Sequence, residues 1–407
     1  MKSEAESRYA WLRLIAALVL MTIGSGGMYA MAVALAPVQA EFGASRGGAS
    51  LPYTLTMLGF GFGGIVMGRL ADRFGVVVPV TIGAFGLGAG FILAGASGSL
   101  LQFSLAHGLL LGLLGCSATF APLVADTALW FNRRRGIAVA ICASGNYLGG
   151  ALWPPILQYG FDTVGWRSTY IGAGVFSFAT VLVLALALRP RPPALEGGSQ
   201  VNALARDERP LGLAPNTLMA LLVIAGVACC VAMSMPQVHI VAYCGDLGYG
   251  AVRGAEMLSI MLGFGIVSRL LSGWICDRIG GLRTLLLGSF LQGVALFLFL
   301  PFDSLASLYV VSAMFGLFQG GIVPSYAIIV REYYPPREAG VRTGIVLMAT
   351  LFGMAFGGWI SGAIFDLTGS YRAAFLNGIA WNLLNLVIAF SLLYRARPSS
   401  RAPMAAQ

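Results

Sequence analysis

The sequence predicts an all-α membrane protein, with twelve transmembrane helices arranged as two six-helix bundles. Three observations carry this prediction: the composition, the number of long apolar segments, and an internal repeat. Of the 407 residues, 58% are hydrophobic and only 10% are charged, whereas about 25% are charged in soluble globular domains. The net charge of +9 comes mainly from arginines in short loops between apolar segments. This placement favours a lipid bilayer as the surroundings and argues against a nucleic-acid partner.

Twelve segments are long enough to cross a hydrocarbon core of about 30 Å. In chain order they cover approximately residues 11–38, 50–69, 77–97, 100–128, 136–159, 167–188, 217–244, 252–275, 283–301, 305–329, 341–365 and 372–394. The longest polar interval, 189–216, is rich in proline, glycine and charged residues, which is typical of a linker. We therefore expect an N-terminal bundle at 1–188, a cytoplasmic linker at 189–216 and a C-terminal bundle at 217–407.

The basic residues predict the orientation, because cytoplasmic loops of membrane proteins are enriched in lysine and arginine. If the N-terminus is cytoplasmic, Lys2 and 19 of the 24 arginines lie on the cytoplasmic side. Only four basic residues then lie outside: Arg46, Arg167, Arg253 and Arg372. We expect both termini to be cytoplasmic and the membrane to be a bacterial-type inner membrane.

The two halves of the chain repeat each other. Gly68–Gly75 reads GRLADRFG after the second segment, and Gly273–Gly280 reads GWICDRIG after the eighth, at an offset of 205 residues. A Phe-Asp pair at 161–162 recurs at 365–366, at an offset of 204. A duplicated unit implies two bundles related by a pseudo-two-fold axis along the membrane normal. Substrate is then expected between the bundles near the midplane, with access that alternates between the two sides.

The repeated loop motif is expected to cap helix ends and to latch the bundles in one conformational state. Its residues are Gly68, Asp72, Arg73 and Gly75 in the first half and Gly273, Asp277, Arg278 and Gly280 in the second.

A single arginine interrupts the eighth apolar segment. Arg269 lies roughly two helical turns inside the boundary that Asp277 and Arg278 mark. A charge at that depth costs about 2.5–3.5 kcal/mol on insertion scales, so it must face a wet cavity or a partner. A guanidinium is well suited to bind an anion, which makes Arg269 the leading candidate for substrate binding. The alternative is a structural arginine that pairs with a carboxylate or with helix-end carbonyls.

The repeated loop resembles the signature of the major facilitator superfamily, and the resemblance covers essentially the whole chain. Residues 130–145, WFNRRRGIAVAICASG, resemble the start of the fifth helix in the monocarboxylate transporter family, and Gly165-Trp166-Arg167 fits the same pattern. The resemblance implies that Arg269 is the family's substrate arginine, and the related oxalate:formate antiporters also carry an arginine there.

Three departures from these families concern charged residues. The first-helix lysine of the animal members has no counterpart, and their eighth-helix aspartate is Gly265 here. The eleventh-helix lysine of the antiporters is also absent, because Arg342 is the only charge in that region. A single cationic site favours a monoanion over a dianion such as oxalate. The missing carboxylate leaves proton coupling open.

Polar residues of other segments could satisfy the oxygen atoms of a carboxylate held by Arg269. These candidates are Tyr29, Ser117, Thr119, Asn146, Tyr147, Gln237, Gln319 and Tyr326. The alternative for each is a hydroxyl or amide that packs helices together.

Two residues are candidates for proton coupling. His239, in the outer half of the seventh segment, would titrate near neutral pH; the alternative is a histidine bonded to a neighbouring helix. Asp126 lies at the cytoplasmic end of the fourth segment, close before Arg133–Arg135. It could form a gate salt bridge or accept a proton.

These patterns predict a monomeric secondary transporter of small monocarboxylates such as lactate or pyruvate, by proton-coupled symport. The alternatives are an organic-anion exchanger and an exporter of another small organic molecule. A GxxxxGK[ST] loop is absent, so ATP is not the expected energy source. An enzyme is disfavoured because no nucleophile–base–acid set occurs. The six cysteines lack ligand spacing, so we expect no metal, no cofactor and no disulfide.

Overall fold

The computed structural model describes residues 6–131, 134–190 and 210–396. These residues are helical almost throughout and include no strand. Within them, twelve helices are long and apolar enough to cross a membrane. The predicted fold class is therefore confirmed. Most of the predicted linker, 191–209, lies outside the described residues, and so do Asn132 and Arg133.

The helices extend several residues beyond most of the predicted apolar segments, because polar residues continue a helix once it leaves the hydrocarbon. In chain order they are α1 Arg8–Phe42, α2 Arg46–Phe74, α3 Val77–Gly95, α4 Leu100–Trp130, α5 Gly136–Val164, α6 Trp166–Leu186, α7 Pro215–Asp246, α8 Ala251–Ile279, α9 Gly281–Leu298, α10 Leu305–Tyr333, α11 Glu338–Thr368 and α12 Tyr371–Arg395.

Three of these helices contain irregular turns. The α1 helix is interrupted at Ser25, α4 contains a π-helical stretch at Ala106–Cys116, and α10 is interrupted at Gly320 and Gly321. Irregular backbone is tolerated at membrane depth only where protein buries it or where it lines a water-filled cavity. At Gly320 the backbone lies so close to the Gly265 carbonyl of α8 that a side chain could not fit.

Two helix pairs make the most extensive contacts between the N-terminal helices α1–α6 and the C-terminal helices α7–α12, and α1 also packs against α7. The first pair is α2 with α11, where Thr54 Oγ1 donates to the Ala355 carbonyl at 3.0 Å. The second pair is α5 with α8, where the Ser259 hydroxyl donates to the Ala151 carbonyl. Helices α2 and α8 are equivalent in the two halves, and so are α5 and α11. The pair α2–α11 is therefore equivalent to the pair α5–α8 under the sequence repeat. The contacts thus follow the same duplication as the sequence motifs.

The hydrogen bonds and ion pairs that join the two bundles are concentrated at one end of the described structure. At this end, called the closed end, α2 begins beside the end of α11: the Gly47 nitrogen donates to Asp366 Oδ2 at 2.7 Å. The other end, where the two motif loops lie, is called the open end, and the hydrogen bonds and ion pairs described there lie within one bundle.

Candidate functional site

Arg269 lies near the middle of α8, ten residues before the helix ends at Ile279. Ten residues correspond to about 15 Å along a helix axis, which is half of a hydrocarbon core. The side chain is partly buried, and its Nε atom is buried without a hydrogen-bond partner in the described parts of the chain. None of the ion pairs that the described residues form includes Arg269.

The guanidinium of Arg269 is held by α5 of the opposite bundle. Its Nη1 atom donates to the Ala143 carbonyl at 3.1 Å, and its Cζ atom lies 4.5 Å from the centre of the Tyr147 ring. Ala143 and Tyr147 are four residues apart and therefore share one face of α5. The intramembrane charge is thus placed between the two bundles, where a substrate is expected in this architecture.

Two further predicted residues meet at the junction of α1, α5 and α8. The Tyr29 hydroxyl donates to Asn146 Oδ1 at 3.0 Å, and Asn146 Nδ2 lies 3.4 Å from the Met28 sulfur. A side chain at Gly150 would collide with the Tyr29 ring and with Leu262 of α8, which shows how closely the three helices approach. Since a sulfur atom is a weak acceptor, the Asn146 amide retains a donor that a carboxylate could use.

Gln237 and Gln319 form a polar pair between α7 and α10. Gln237 Nε2 donates to Gln319 Oε1 at 2.9 Å, and both side chains are buried. Gln319 Nε2 has no hydrogen-bond partner in the described residues. The next residue, Gly320, packs against α8 one turn from Arg269, so this amide is available at a similar depth.

Three other candidates have their polar groups committed within a bundle. Ser117 and Thr119 donate to the carbonyls of Leu113 and Cys116 in their own helix. The Tyr326 hydroxyl donates to Asn385 Oδ1 of α12 at 2.9 Å, and its side chain is fully buried. These contacts match the helix-packing alternative.

Asp126 is paired with an arginine that the sequence analysis did not consider. Arg13 of α1 donates from Nε and Nη2 to the two Asp126 oxygens at 2.8 and 2.9 Å. Both side chains are buried, and the Arg13 guanidinium also lies 4.7 Å from the Trp130 ring. The described partner is thus Arg13, not the Arg133–Arg135 cluster; Arg133 and the Arg135 side chain lie outside the described residues.

His239 is fully buried at the closed end, where it bonds to two neighbouring helices. Its Nε2 atom lies 2.8 Å from the Gly358 carbonyl of α11, so this nitrogen must carry the proton. The Nδ1 atom then accepts from the Tyr371 hydroxyl of α12 at 3.2 Å. Tyr371 in turn accepts from Arg46 Nη1 of α2 at 3.0 Å. This geometry agrees with the alternative of a histidine bonded to its neighbours, and it links His239 to the contact between the bundles.

The two motif loops lie at the open end, and the side chains of Asp72, Arg73, Asp277 and Arg278 are exposed. In the described part of the chain they form no ion pair with the opposite bundle. Arg278 stacks on Trp274 of its own helix, with Cζ 3.8 Å from the ring centre. The backbone at Gly75 and Gly280 has φ near +84° and +82°, a region that favours glycine. A latch made by these loops stays a prediction for a state in which this end is closed.

The six cysteines are all free and buried. Within the described residues, no group of histidine, cysteine, aspartate or glutamate could hold a metal ion.

The arrangement, two helical bundles with an intramembrane arginine between them, is that of a membrane transporter. The sequence profile of the Major Facilitator Superfamily matches residues 15–311 and 257–406. The chain belongs to this superfamily and is a non-enzymatic integral membrane protein.

Three proteins with similar sequences are named as transporters. Monocarboxylate transporter 13 of Bos taurus is 30% identical over 322 residues, which are 77% of this chain and 73% of the relative. Monocarboxylate transporter 11 of Homo sapiens is 27% identical over 369 residues, covering 81% and 71%. The MFS-type transporter pynF of Aspergillus niger is 25% identical over 307 residues, covering 74% and 68%.

Solved structures show the same fold. The inward-facing, unoccupied form of a bacterial homologue of the human lysosomal transporter Spinster superposes with a TM-score of 0.71 and 14% identity, covering 96% of this chain and 98% of that one. The peptide transporter POT in complex with sulfate gives a TM-score of 0.73 and 13% identity, covering 94% of both chains.

Proposed function

We propose that this protein transports small monocarboxylates, of the lactate or pyruvate kind, by alternating access. The observation that carries the proposal is Arg269: an intramembrane guanidinium between the bundles, with an unpaired Nε atom and no carboxylate partner among the described residues. A carboxylate is the natural partner of such a group. The monocarboxylate transporters among the relatives support the substrate class.

In this proposal the moving bodies are residues 1–188 and 217–407, joined by the linker at 189–216, and the transporter acts as a monomer. Both termini are cytoplasmic, and the membrane is a bacterial-type inner membrane. The open end then faces the cytoplasm. The Asn146 and Gln319 amides, which retain free donors, assist Arg269 on the substrate.

Proton-coupled symport is the proposed energy source, with His239 as the titrating group. Anion exchange is the second candidate, and one observation favours it: Gly265 leaves Arg269 without a carboxylate neighbour that could carry a proton. Preloaded vesicles separate the two. Uptake that is stimulated by internal substrate and is indifferent to a proton gradient would establish exchange.

The test of the substrate proposal is Arg269→Lys in reconstituted vesicles. Lysine keeps the charge but loses the planar, two-pronged match to a carboxylate. We expect uptake of lactate and pyruvate to fall severely while the folded protein is retained. Arg253→Lys is the matched control, because Arg253 lies in the same helix, is exposed and pairs with Glu256. Normal uptake by the Arg269→Lys variant would make Arg269 a structural residue.

A further inference from the structure

The contact between α5 and α8 places an aromatic ring where a side chain of α8 would otherwise lie. A methyl group built at Gly265 would be 2.7 Å from Cε1 and 2.8 Å from Cδ1 of Tyr147. Atoms cannot approach so closely, so the ring requires glycine at this position. The Tyr147 side chain is 7% exposed and is therefore fixed by its surroundings.

The face of this ring is directed at the arginine one turn further along α8. Arg269 Cζ is 4.5 Å from the ring centre, a distance at which the ring quadrupole attracts a cation. The Ala143 carbonyl holds Nη1 from the same face of α5. Together the ring and the carbonyl fix the plane of the guanidinium and leave its Nε atom unpaired.

We infer that Tyr147 is a positioning residue for anion recognition: its ring holds Arg269 in place without neutralising it, and Gly265 is required to admit the ring. This inference rests on the proposed function and names the device by which the site selects an anion. A carboxylate beside Arg269 would compete with the substrate for the guanidinium. A ring stabilises the cation through its quadrupole and leaves the charge available to a carboxylate.

The first test separates the ring of Tyr147 from its hydroxyl. Uptake of lactate into proteoliposomes, or of pyruvate if it is taken up faster, gives KM and kcat for each variant. Tyr147→Phe keeps the ring, and we expect its KM to remain within about twofold of the unaltered protein. Tyr147→Leu loses the ring, and we expect KM to rise about 3- to 30-fold with a smaller change in kcat, which is the range that a cation–π contact predicts. A Phe variant as impaired as the Leu variant would overturn the inference, because the hydroxyl would then be the group in use.

The second test uses two glycines of one helix. Gly265→Ala pushes the ring away from Arg269, and we expect a rise in KM similar to that of Tyr147→Leu. Gly263→Ala is the matched control, because a side chain there meets nothing within 4 Å. The double variant Tyr147→Leu/Gly265→Ala should be no worse than the more impaired single variant, since both changes remove the same contact. Additive losses would show that the two positions act independently.

A third measurement tests the contact without any substrate. The unfolding midpoints of the unaltered protein, Arg269→Met, Tyr147→Leu and the double variant form a cycle for the empty protein, and we expect a coupling between the two changes, because methionine removes the cation that lysine would keep against the ring. Zero coupling overturns the inference. If Arg269→Lys transports normally, the proposed function fails instead. If Arg269→Lys is inactive while Tyr147→Leu has an unchanged KM, the function stands and the positioning role does not.

Discussion

Asp366 provides a sharp test of how the two bundles are held together. Its carboxylate, at the end of α11, accepts hydrogen bonds from the backbone nitrogens of Arg46 and Gly47, both at 2.7 Å. A carboxylate of one bundle thus caps the first turn of a helix in the other. The Arg46 side chain adds a bond to Tyr371 and an ion pair with Asp246 at 3.2 Å. We predict that Asp366→Asn weakens the closed end.

The magnitude follows from the bonds that are lost. In asparagine an NH2 group replaces one of the two carboxylate oxygens, so one of the two N–H donors faces a donor and loses its acceptor. A hydrogen bond to a charged group contributes about 1.5–3 kcal/mol, and the charge at a helix N-terminus about 0.3–1 kcal/mol. Asp366 is exposed to solvent, which reduces both contributions. We therefore expect a net loss of about 1–2 kcal/mol, which corresponds to a roughly 5- to 30-fold shift toward the state that is open at this end.

The sequence repeat supplies a matched control. Asp162 occupies the position equivalent to Asp366 in the first half, but among the described residues its side chain accepts only from Gln158 of its own helix, at 2.9 Å. Asp162→Asn removes the same charge near the same end without breaking a contact between the bundles. We expect it to leave the population of states unchanged.

Distances between spin labels at Ala40 and Val252 measure the population directly. Both positions are exposed and lie in opposite bundles at the closed end, and the six native cysteines are buried. In double electron–electron resonance, Asp366→Asn should add a longer distance that the unaltered protein populates little. An unchanged distribution, or an equal change caused by Asp162→Asn, would refute the argument.

Three further predictions follow from other contacts. Asp126→Asn should lower the free energy of unfolding by about 3–5 kcal/mol, because it leaves Arg13 charged, buried and unpaired; a thermal midpoint equal to that of the unaltered protein contradicts this. Uptake of a substrate held as the anion should rise from about pH 8 to about pH 5.5, and His239→Gln should flatten the rise, since His239 is the proposed titrating group; a flat profile in the unaltered protein excludes His239 as the coupling residue. Reducing agents should leave uptake unchanged because the six cysteines are free, and a loss on reduction would reveal a disulfide.

The membrane helices could be predicted from the sequence because the bilayer imposes a length. A spanning helix needs about 20 apolar residues, and the predicted segment 252–275 lies within the observed α8, Ala251–Ile279. Arg269 could be singled out for a similar reason, since a charge inside a membrane-spanning segment is costly and is retained only where it has a partner or a wet cavity. Both predictions depend only on the local composition and on the position of a residue along its apolar segment, which can be read from the sequence.

The partners of the charged residues could not be predicted, because they depend on how distant helices rotate and approach. Arg13 and Asp126 are 113 residues apart, and Arg46 and Asp366 are 320 apart. Arg46 was visible only as one of four basic residues on the outer side, and Asp366 only as part of the second repeat. Tyr147 was expected to offer its hydroxyl, whereas the structure places the ring against Arg269. The residue type was available from the sequence, but the face that it presents was not.

On the proposed function, the environment of Arg269 also bears on coupling. In the empty transporter the guanidinium is held, among the described residues, by a ring and a backbone carbonyl, so its charge stays uncompensated when the bundles rock and close over it. A bound monocarboxylate cancels that charge, and moving the bundles then costs less. Loaded transporters should therefore reorient faster than empty ones, and exchange should be faster than net flux. A proton bound at His239 does not alter this difference at Arg269, because His239 bonds into the closed end through Tyr371 and Gly358. Any proton dependence is thus expected to act through the contact between the bundles, separately from recognition of the anion.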